Sequence, residues 1–217
     1  MKTRIPLFPL GVALVPQMDL PLHIFEERYK TMINECLDEE KVFGVVLYEG
    51  SGFHRIGCTA RVVRLLKRYD DGRMDILTRG ETRFSIHEVY EDRPYLEADA
   101  EFFDDEPEES TPELEDLARK GIDLLNHVSE LTGRPERYVL GEKWDLRSVS
   151  YILAASQAFE PNERQEFIEM TSMSQRVEKS VRAMEKTLER LRLTQEIKKI
   201  INGNGFVPER LQKPPTP

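Results

Sequence analysis

Ile5-Pro-Leu-Phe-Pro-Leu10 and Leu20-Pro-Leu-His-Ile-Phe-Glu-Glu-Arg-Tyr29 are the two stretches of sequence that decide the fold. Both are apolar and both contain proline. Because proline has no amide hydrogen to donate to a sheet, each run is predicted to be an edge strand or a rigid extended segment. Val12–Val15, between them, is predicted to form a short strand. Apolar residues then recur at helical spacing, which indicates an amphipathic helix with the stripe Phe25, Tyr29, Met32, Ile33, Cys36 and Leu37.

The rest of residues 1–104 is rich in predicted strands. Val42–Tyr48 is a continuous apolar run, which is typical of a buried strand. Asp70-Asp71-Gly72 predicts a tight hairpin, because glycine readily adopts a positive φ. Further strands are expected at Ile56–Tyr69, Arg73–Thr78, Arg83–Val89 and Leu96–Phe102. Several short strands with one early helix predict a small, partly closed barrel or folded sheet.

The second half of the chain is predicted to be helical. Residues 105–112 are rich in acids and proline, which predicts a solvated linker. Residues 113–203 are expected to form a bundle that ends in a long helix, with the narrow apolar stripe Val177, Val181, Met184, Leu188 and Leu191. This stripe favours packing inside the bundle, and a homodimer seam is the alternative. Residues 204–217 are a proline-rich tail, so the predicted fold class is α+β, a β-rich domain followed by a helical bundle.

Composition and charge narrow the function classes. The chain has 217 residues and a net charge of −9, which disfavours binding to the phosphate backbone of nucleic acid. Cys36 and Cys58 lack metal-ligand spacing and are expected to be reduced thiols in the core. Neither a signal peptide nor a membrane span is readable, so the cytoplasm is the expected location.

The two deciding stretches resemble the amino-terminal, substrate-binding domain of the ATP-dependent Lon protease family. That family's pattern is Leu-Pro-Leu-Phe-Pro followed by Leu-Pro-Leu-x-Ile-Phe-Glu-x-Arg-Tyr, and residues 6–9 and 20–29 match it. The family often has glycine where this chain has Gln17, and proline where it has Glu27. The resemblance extends to Ile56–Val62, Gly80–Phe84 and Ser150–Ala155. It implies a PUA-like pseudo-barrel followed by a helical bundle.

Sequence motifs for catalysis are missing. The chain has no Gly-x-x-x-x-Gly-Lys-Ser/Thr loop for nucleotide phosphates and no Gly-x-Ser-x-Gly nucleophile turn. Its histidines are scattered and do not have zinc-ligand spacing. The ATPase and serine–lysine peptidase modules of Lon are therefore not expected here, and we predict no catalytic residue, no metal site and no cofactor.

The resemblance implies a non-catalytic module that binds unfolded or extended polypeptide, or a partner protein. A β-domain with extended apolar edges can add a guest strand, main chain to main chain. The candidate contact residues in the two deciding stretches are Leu7, Phe8, Leu22, His23, Phe25, Arg28 and Tyr29. Two alternatives stay open: an enzyme of unknown type with its site in the cleft between the domains, and an RNA-binding barrel. The basic residues for RNA are Arg61, Arg64, Lys67, Arg68 and Arg73.

Overall fold

A computed structural model describes residues 2–50, 52–133, 137–141, 144–156 and 158–202. The β-rich half contains β1 (Lys2–Leu10), β2 (Asp19–Ile24), α1 (Glu27–Asp38), β3 (Phe43–Glu49), β4 (Gly52–Phe53), β5 (Ile56–Arg68), β6 (Met74–Tyr90) and β7 (Glu97–Phe103). The helical half contains α2 (Pro112–Leu131), α3 (Leu146–Ala154), α4 (Pro161–Glu169) and α5 (Met173–Asn202). The predicted α+β class is confirmed. The predicted tail at 204–217 lies outside the described residues.

Five strands close into a barrel, which confirms the predicted architecture. β6 pairs with β5 and β7, β5 pairs with β3, and β1 completes the circuit by pairing antiparallel with β7 and parallel with β3. β1 is staggered, so that Lys2–Pro6 pairs with β7 and Leu7–Leu10 pairs with β3. Each half of β1 thus has a ladder on one side, which explains why Pro6 and Pro9 are tolerated in a strand of the barrel.

Phe84 fills the interior of the barrel, and two glycines make room for it. A Cβ atom on Gly44 would lie 2.6 Å from the Phe84 ring, and one on Gly57 would lie 2.8 Å from it. Phe84 itself is fully buried and packs in a cluster of residues from β1, β3, β6 and β7. The barrel interior is therefore a close-packed core rather than a ligand cavity.

Two details of the predicted strands are wrong. Val12–Val15 is a loop without a ladder. The residues just after it bond to β6: Gln17 N–H donates to the Gly80 carbonyl, and Gly80 N–H donates to the Met18 carbonyl. Gly80 permits this close approach, since a Cβ there would lie 2.3 Å from the Val15 carbonyl oxygen. The strands predicted at Arg73–Thr78 and Arg83–Val89 are one long strand, β6, that continues through Gly80.

One hydrophobic core joins the two halves of the chain. It contains residues of the β-rich half, such as Ile33 and Phe43, and residues of the helical half, such as Phe167. Cys36 and Cys58 are buried free thiols, as predicted, and burial raises the pKa of Cys36 to about 11. Within the described ranges, no helix has the length and apolar character needed to cross a membrane.

The first half of α5 packs inside its own domain, as the sequence analysis favours. The buried members of the predicted stripe are Val177, Val181, Met184 and Leu188. Beyond them, Leu193, Ile197 and Ile201 are exposed. A homodimer, the alternative left open by the sequence analysis, stays a prediction.

Filling the space beside Phe84 should destabilise the barrel. We expect Gly44→Ala to lower the free energy of unfolding by about 1–3 kcal/mol, because the added methyl group overpacks the core. Urea denaturation followed by circular dichroism measures the change. Gly52→Ala is the matched control, since a Cβ at Gly52 meets no atom within 4 Å. Equal unfolding midpoints for the two variants would contradict the packing described here.

The boundary between the halves is a second testable feature. We propose that it lies at residues 105–112, where Glu106 and Glu109 are exposed. A glutamate-specific protease should cut there first, and the two fragments should still elute together under native conditions, because they share one core. Mass spectrometry identifies the cut. A first cut inside residues 55–103, or fragments that separate without denaturant, would count against this boundary.

Candidate functional site

The outer face of a three-stranded sheet forms the candidate site. β2 pairs with β6, and β6 pairs with the second half of β5. On the inner face of this sheet, Ile24, Met74 and Ile76 are buried in the core. The outer face alternates with it and presents three cross-strand rows, which are His23–Asp75–Lys67, Pro21–Leu77–Arg64 and Asp19–Arg79–Arg61.

We call one end of this surface the outer platform. It is defined by Pro21, His23, Phe25, Arg64, Lys67, Tyr69, Asp75 and Leu77. The platform lies next to the hairpin turn between β5 and β6. Gly72 in this turn has a φ of 81°, the positive value that the Asp-Gly pair predicted. The hairpin therefore brings residues from three separate stretches of sequence to one surface.

The carboxylate of Asp75 organises the platform by binding two rings. His23 Nδ1 and Asp75 Oδ1 are 2.6 Å apart, and the Tyr69 hydroxyl donates to Asp75 Oδ2 at 2.8 Å. These hydrogen bonds, first that of His23, lower the pKa of Asp75. Phe25 stacks beside His23 with ring centroids 6.0 Å apart, and Tyr69 meets His23 edge-on at 5.9 Å. Phe25 is 60% exposed, so its ring is available to a partner.

Two irregularities in β5 shape the edge of the platform. The register with β6 shifts between Val62 and Arg64 and again between Leu65 and Lys67. Each shift is a bulge that adds a residue to β5. As a result, Arg64 and Lys67 face the same side although they are three residues apart. Val63, Leu65 and Leu66 are left 45%, 41% and 46% exposed along the same strand.

The seven predicted contact residues divide into two groups. Leu7 is fully buried in the barrel, and Phe8 and Tyr29 are each 7% exposed, with their rings stacked at 4.0 Å. These three are packing residues, and a guest could reach them only if the core opened. The others are accessible: Leu22 is half-buried, while His23, Phe25 and Arg28 are exposed.

Tyr69, Asp75 and Leu77 are platform residues that the sequence analysis did not select. Their position follows from the register of the hairpin, which pairs Leu77 with Arg64 and Asp75 with Lys67. The Asp-Gly turn predicts the hairpin, and counting at period two from Arg73, the residue after the turn, would have found Asp75 and Leu77. The bulges interrupt the alternation of inward-facing and outward-facing side chains in β5, so the direction of its side chains could not be predicted from the sequence.

A second group of functional side chains lies between the two halves. Arg83 of β6 and Arg176 of α5 are both buried, with side chains 1% and 0% exposed, and both bind Asp105. Arg83 Nη2 donates to Asp105 Oδ1 at 2.6 Å, and Arg176 Nη2 donates to Asp105 Oδ2 at 2.5 Å. Arg83 also donates to the backbone carbonyls of Ile168 and Met170. The guanidinium groups of Arg83 and Arg176 and the carboxylate of Asp105 thus all have hydrogen-bond partners.

The expectation of a solvated linker is wrong at Asp105. Its side chain is only 6% exposed, since it follows β7 directly and turns inward to the two arginines. The ring of Tyr151 lies 4.0 Å from the Arg176 guanidinium, and burial raises the pKa of its hydroxyl. The acids farther along, such as Glu109, are exposed as predicted.

A cavity of about 470 Å³ lies in the cleft between the halves, where the sequence analysis left room for an enzyme site. Its lining includes Asp19, Ser129, Arg137 and Ser156. Asp19 is held by Arg79 through two hydrogen bonds of 2.7 and 3.0 Å. The carboxylate of Asp19 therefore already forms an ion pair with Arg79. In the described residues, no group of three or more histidine, cysteine, aspartate or glutamate side chains is placed to hold a metal ion.

Comparison with known proteins defines the class to which this fold belongs. The structure is similar to a Lon N-terminal domain protein from Xanthomonas campestris, with a TM-score of 0.63 and 22% identity over 81% of this chain and 95% of that one. It is also similar to the N-terminal domain of the Mycobacterium avium complex Lon protease, with a TM-score of 0.61 and 15% identity over 86% of this chain and 98% of that one. The fold is therefore that of Lon N-terminal domains.

Sequence comparison gives the family itself. The pattern of the ATP-dependent protease La (LON) substrate-binding domain matches residues 4–186, so the chain belongs to that family. Lon protease of Dictyoglomus thermophilum is 24% identical over 204 residues, which are 89% of this chain and 26% of the relative. Lon protease of Rhizobium meliloti is 26% identical over 205 residues, 89% of this chain and 25% of the relative. The chain thus spans about a quarter of the length of these curated relatives.

Neutralising Asp105 should destabilise the whole chain. In Asp105→Asn, Arg83 and Arg176 stay buried without a counter-charge, and we expect the free energy of unfolding to fall by about 3–5 kcal/mol. Urea denaturation measures it. Glu109→Gln removes the same charge from an exposed site of the same segment and should change stability by less than about 0.5 kcal/mol. An equally small effect of both variants would show that the buried ion pairs do not matter to the fold.

Proposed function

We propose that this chain is a non-catalytic module that binds segments of polypeptide on the outer platform. The observation that carries the proposal is the 60% exposure of Phe25, an aromatic ring held in place by His23, in a chain that belongs to the substrate-binding domain family. Exposed aromatic residues surrounded by polar groups are typical of protein interaction sites.

The apolar character of the platform supports this function. Among the exposed large hydrophobic residues of the described chain, Phe25, Val63, Leu65 and Leu66 all lie at this sheet and its tip. Phe25 follows β2, and the other three lie on the bulged second half of β5. Such a surface can bury the side chains of a guest without a deep pocket, which suits segments of varied sequence.

Side-chain contacts account for binding here better than addition of a guest strand. The free edge of β2 contains Pro21, which cannot donate a backbone hydrogen bond. The free edge of β5 carries the two bulges described above, and bulges hinder edge-to-edge pairing. Both exposed edges of the sheet therefore resist a new strand, while the side chains of the outer face remain available.

Single-stranded RNA is the second candidate partner. Tyr69 lies between two cations, with Lys67 Nζ 4.2 Å and the Arg73 guanidinium 4.9 Å from its ring centroid. Aromatic rings next to cations are the usual means of binding single strands without sequence preference. The net charge of −9 and the family of the chain favour polypeptide, and the experiment below includes RNA as one of its arms.

Phe25→Ala should weaken polypeptide binding. We expect a loss of affinity on the order of fivefold or more, since truncation of an aromatic contact residue removes apolar area that only the complex buries. Binding of fluorescently labelled segments of an unfolded protein to the full chain, followed by anisotropy, measures it. Phe102→Ala is the control, because Phe102 is 39% exposed on β7 and outside the platform.

The outcomes separate the candidates. Loss of binding in Phe25→Ala but not in Phe102→Ala supports the platform. Equal behaviour of both variants would place the site elsewhere. If labelled single-stranded RNA binds more tightly than every peptide, and its affinity falls steeply with salt, the RNA function replaces the one proposed here.

A further inference from the structure

The outer platform carries positive charge that the fold does not neutralise, and we infer that it selects acidic polypeptide segments. This inference rests on the proposed function and names the class of segment bound. The preferred guest is an extended chain with carboxylates at alternate positions, next to an apolar or aromatic residue. The inference depends on which cations have partners, on their spacing and on their apolar neighbours.

Most arginines around the platform are already paired. Arg61 is held by Glu81, Arg73 by Asp71 and Arg79 by Asp19, at 2.5–2.7 Å. Arg28 is likewise paired with Glu26 at 2.8 Å. These four cations are not available to a guest without the loss of an internal ion pair.

Three cations of β5 are different. Within the described part of the chain, Arg64 has no ion pair or hydrogen bond. Lys67 lies over the ring of Tyr69, and its charge helps to lower the pKa of Asp75 opposite it, without a direct ion pair. Arg68 donates to the neutral amide oxygen of Asn34 at 3.0 Å. All three are exposed. On the outer face, Arg64 lacks a counter-charge and Lys67 shares only the carboxylate of Asp75, which also binds His23 and Tyr69. In a protein of net charge −9 this is an unusual local excess of positive charge, and a carboxylate is its complement.

The spacing of two of these cations fits an extended chain. Arg64 lies opposite Leu77 and Lys67 lies opposite Asp75, and both pairs are on the outer face. Because Leu77 and Asp75 are two residues apart in β6, the backbone positions that carry the two cations are about 7 Å apart, the distance between alternate residues of a strand. Carboxylates two residues apart in an extended guest therefore match Arg64 and Lys67.

The aliphatic neighbours of these cations on β5 favour a polypeptide over RNA, whereas Tyr69 is the neighbour that offers a ring beside Lys67. Val63, Leu65 and Leu66 alternate with Arg64 and Lys67 along β5, and aliphatic side chains offer no flat ring on which a base can stack. Asp70 and Asp71 lie at the hairpin turn and would repel a continuous phosphate backbone. A peptide carries isolated charges between apolar side chains, which is the pattern that β5 presents.

Peptides that differ only in charge test the inference. The full chain is titrated into short labelled peptides of identical apolar content that carry either two glutamates at alternate positions or two glutamines there. We expect the acidic peptide to bind roughly fivefold more tightly at about 0.1 M salt, as two exposed ion pairs predict. The preference should disappear at about 1 M salt, where charges are screened within about 3 Å.

A matched pair of variants locates the effect. Arg64→Gln with Lys67→Gln should remove the preference, so that the acidic and the glutamine peptides bind with equal affinity. Lys186→Gln with Arg190→Gln removes the same charge from exposed positions of α5 and should leave the preference intact. Circular dichroism confirms that both double variants fold.

The possible results are distinct. Equal affinity for the two peptides in the unmodified chain overturns the inference and leaves the proposed function standing. A preference that survives Arg64→Gln with Lys67→Gln also overturns it. If single-stranded RNA displaces the acidic peptide and binds more tightly, the charge serves RNA instead. If no peptide of either charge binds, the proposed function fails together with the inference.

Discussion

Asp105 neutralises two buried guanidinium groups, and the arrangement of the barrel relative to the bundle depends on it. Arg83 reaches Asp105 from β6 and Arg176 reaches it from α5. Each of these arginines would cost several kcal/mol to bury without a counter-charge. The spare donors of Arg83 bind carbonyls at the end of α4, which have no partner within that helix. One carboxylate therefore ties a strand, two helices and the connecting segment together.

This cluster explains how the platform can be rigid while it projects from the fold. β6 contains Arg83 in its middle and Asp75 near its start. The first half of β6 carries β2 and the second half of β5, so the sheet that forms the platform is fixed at its base by the ion pairs and by the shared core. A platform held in this way loses little conformational entropy when it binds a partner.

Local signals in the sequence predicted most of the fold, because each acts through its own neighbours. Gly72 adopts the positive φ that its turn requires, and the predicted stripe of α5 is buried from Val177 to Leu188. Long-range contacts were not readable. Composition alone predicted a solvated Asp105, although its burial depends on two arginines that are distant in sequence. The loop at Val12–Val15 likewise depends on β6.

The candidate site was only half predictable, because residue type does not reveal which way a side chain faces. Leu7 and Phe8 look like binding residues in the sequence and are core residues in the fold, whereas His23 and Phe25 face outwards. The bulges of β5 set the rest of the site. The bulges disturb the ladder at the open edge of β5, and this protects the edge from unwanted pairing. The same distortion turns Arg64 to the outer face, where the other side chains of the platform lie. The feature that discourages pairing through the main chain is thus the one that places these side chains on one face.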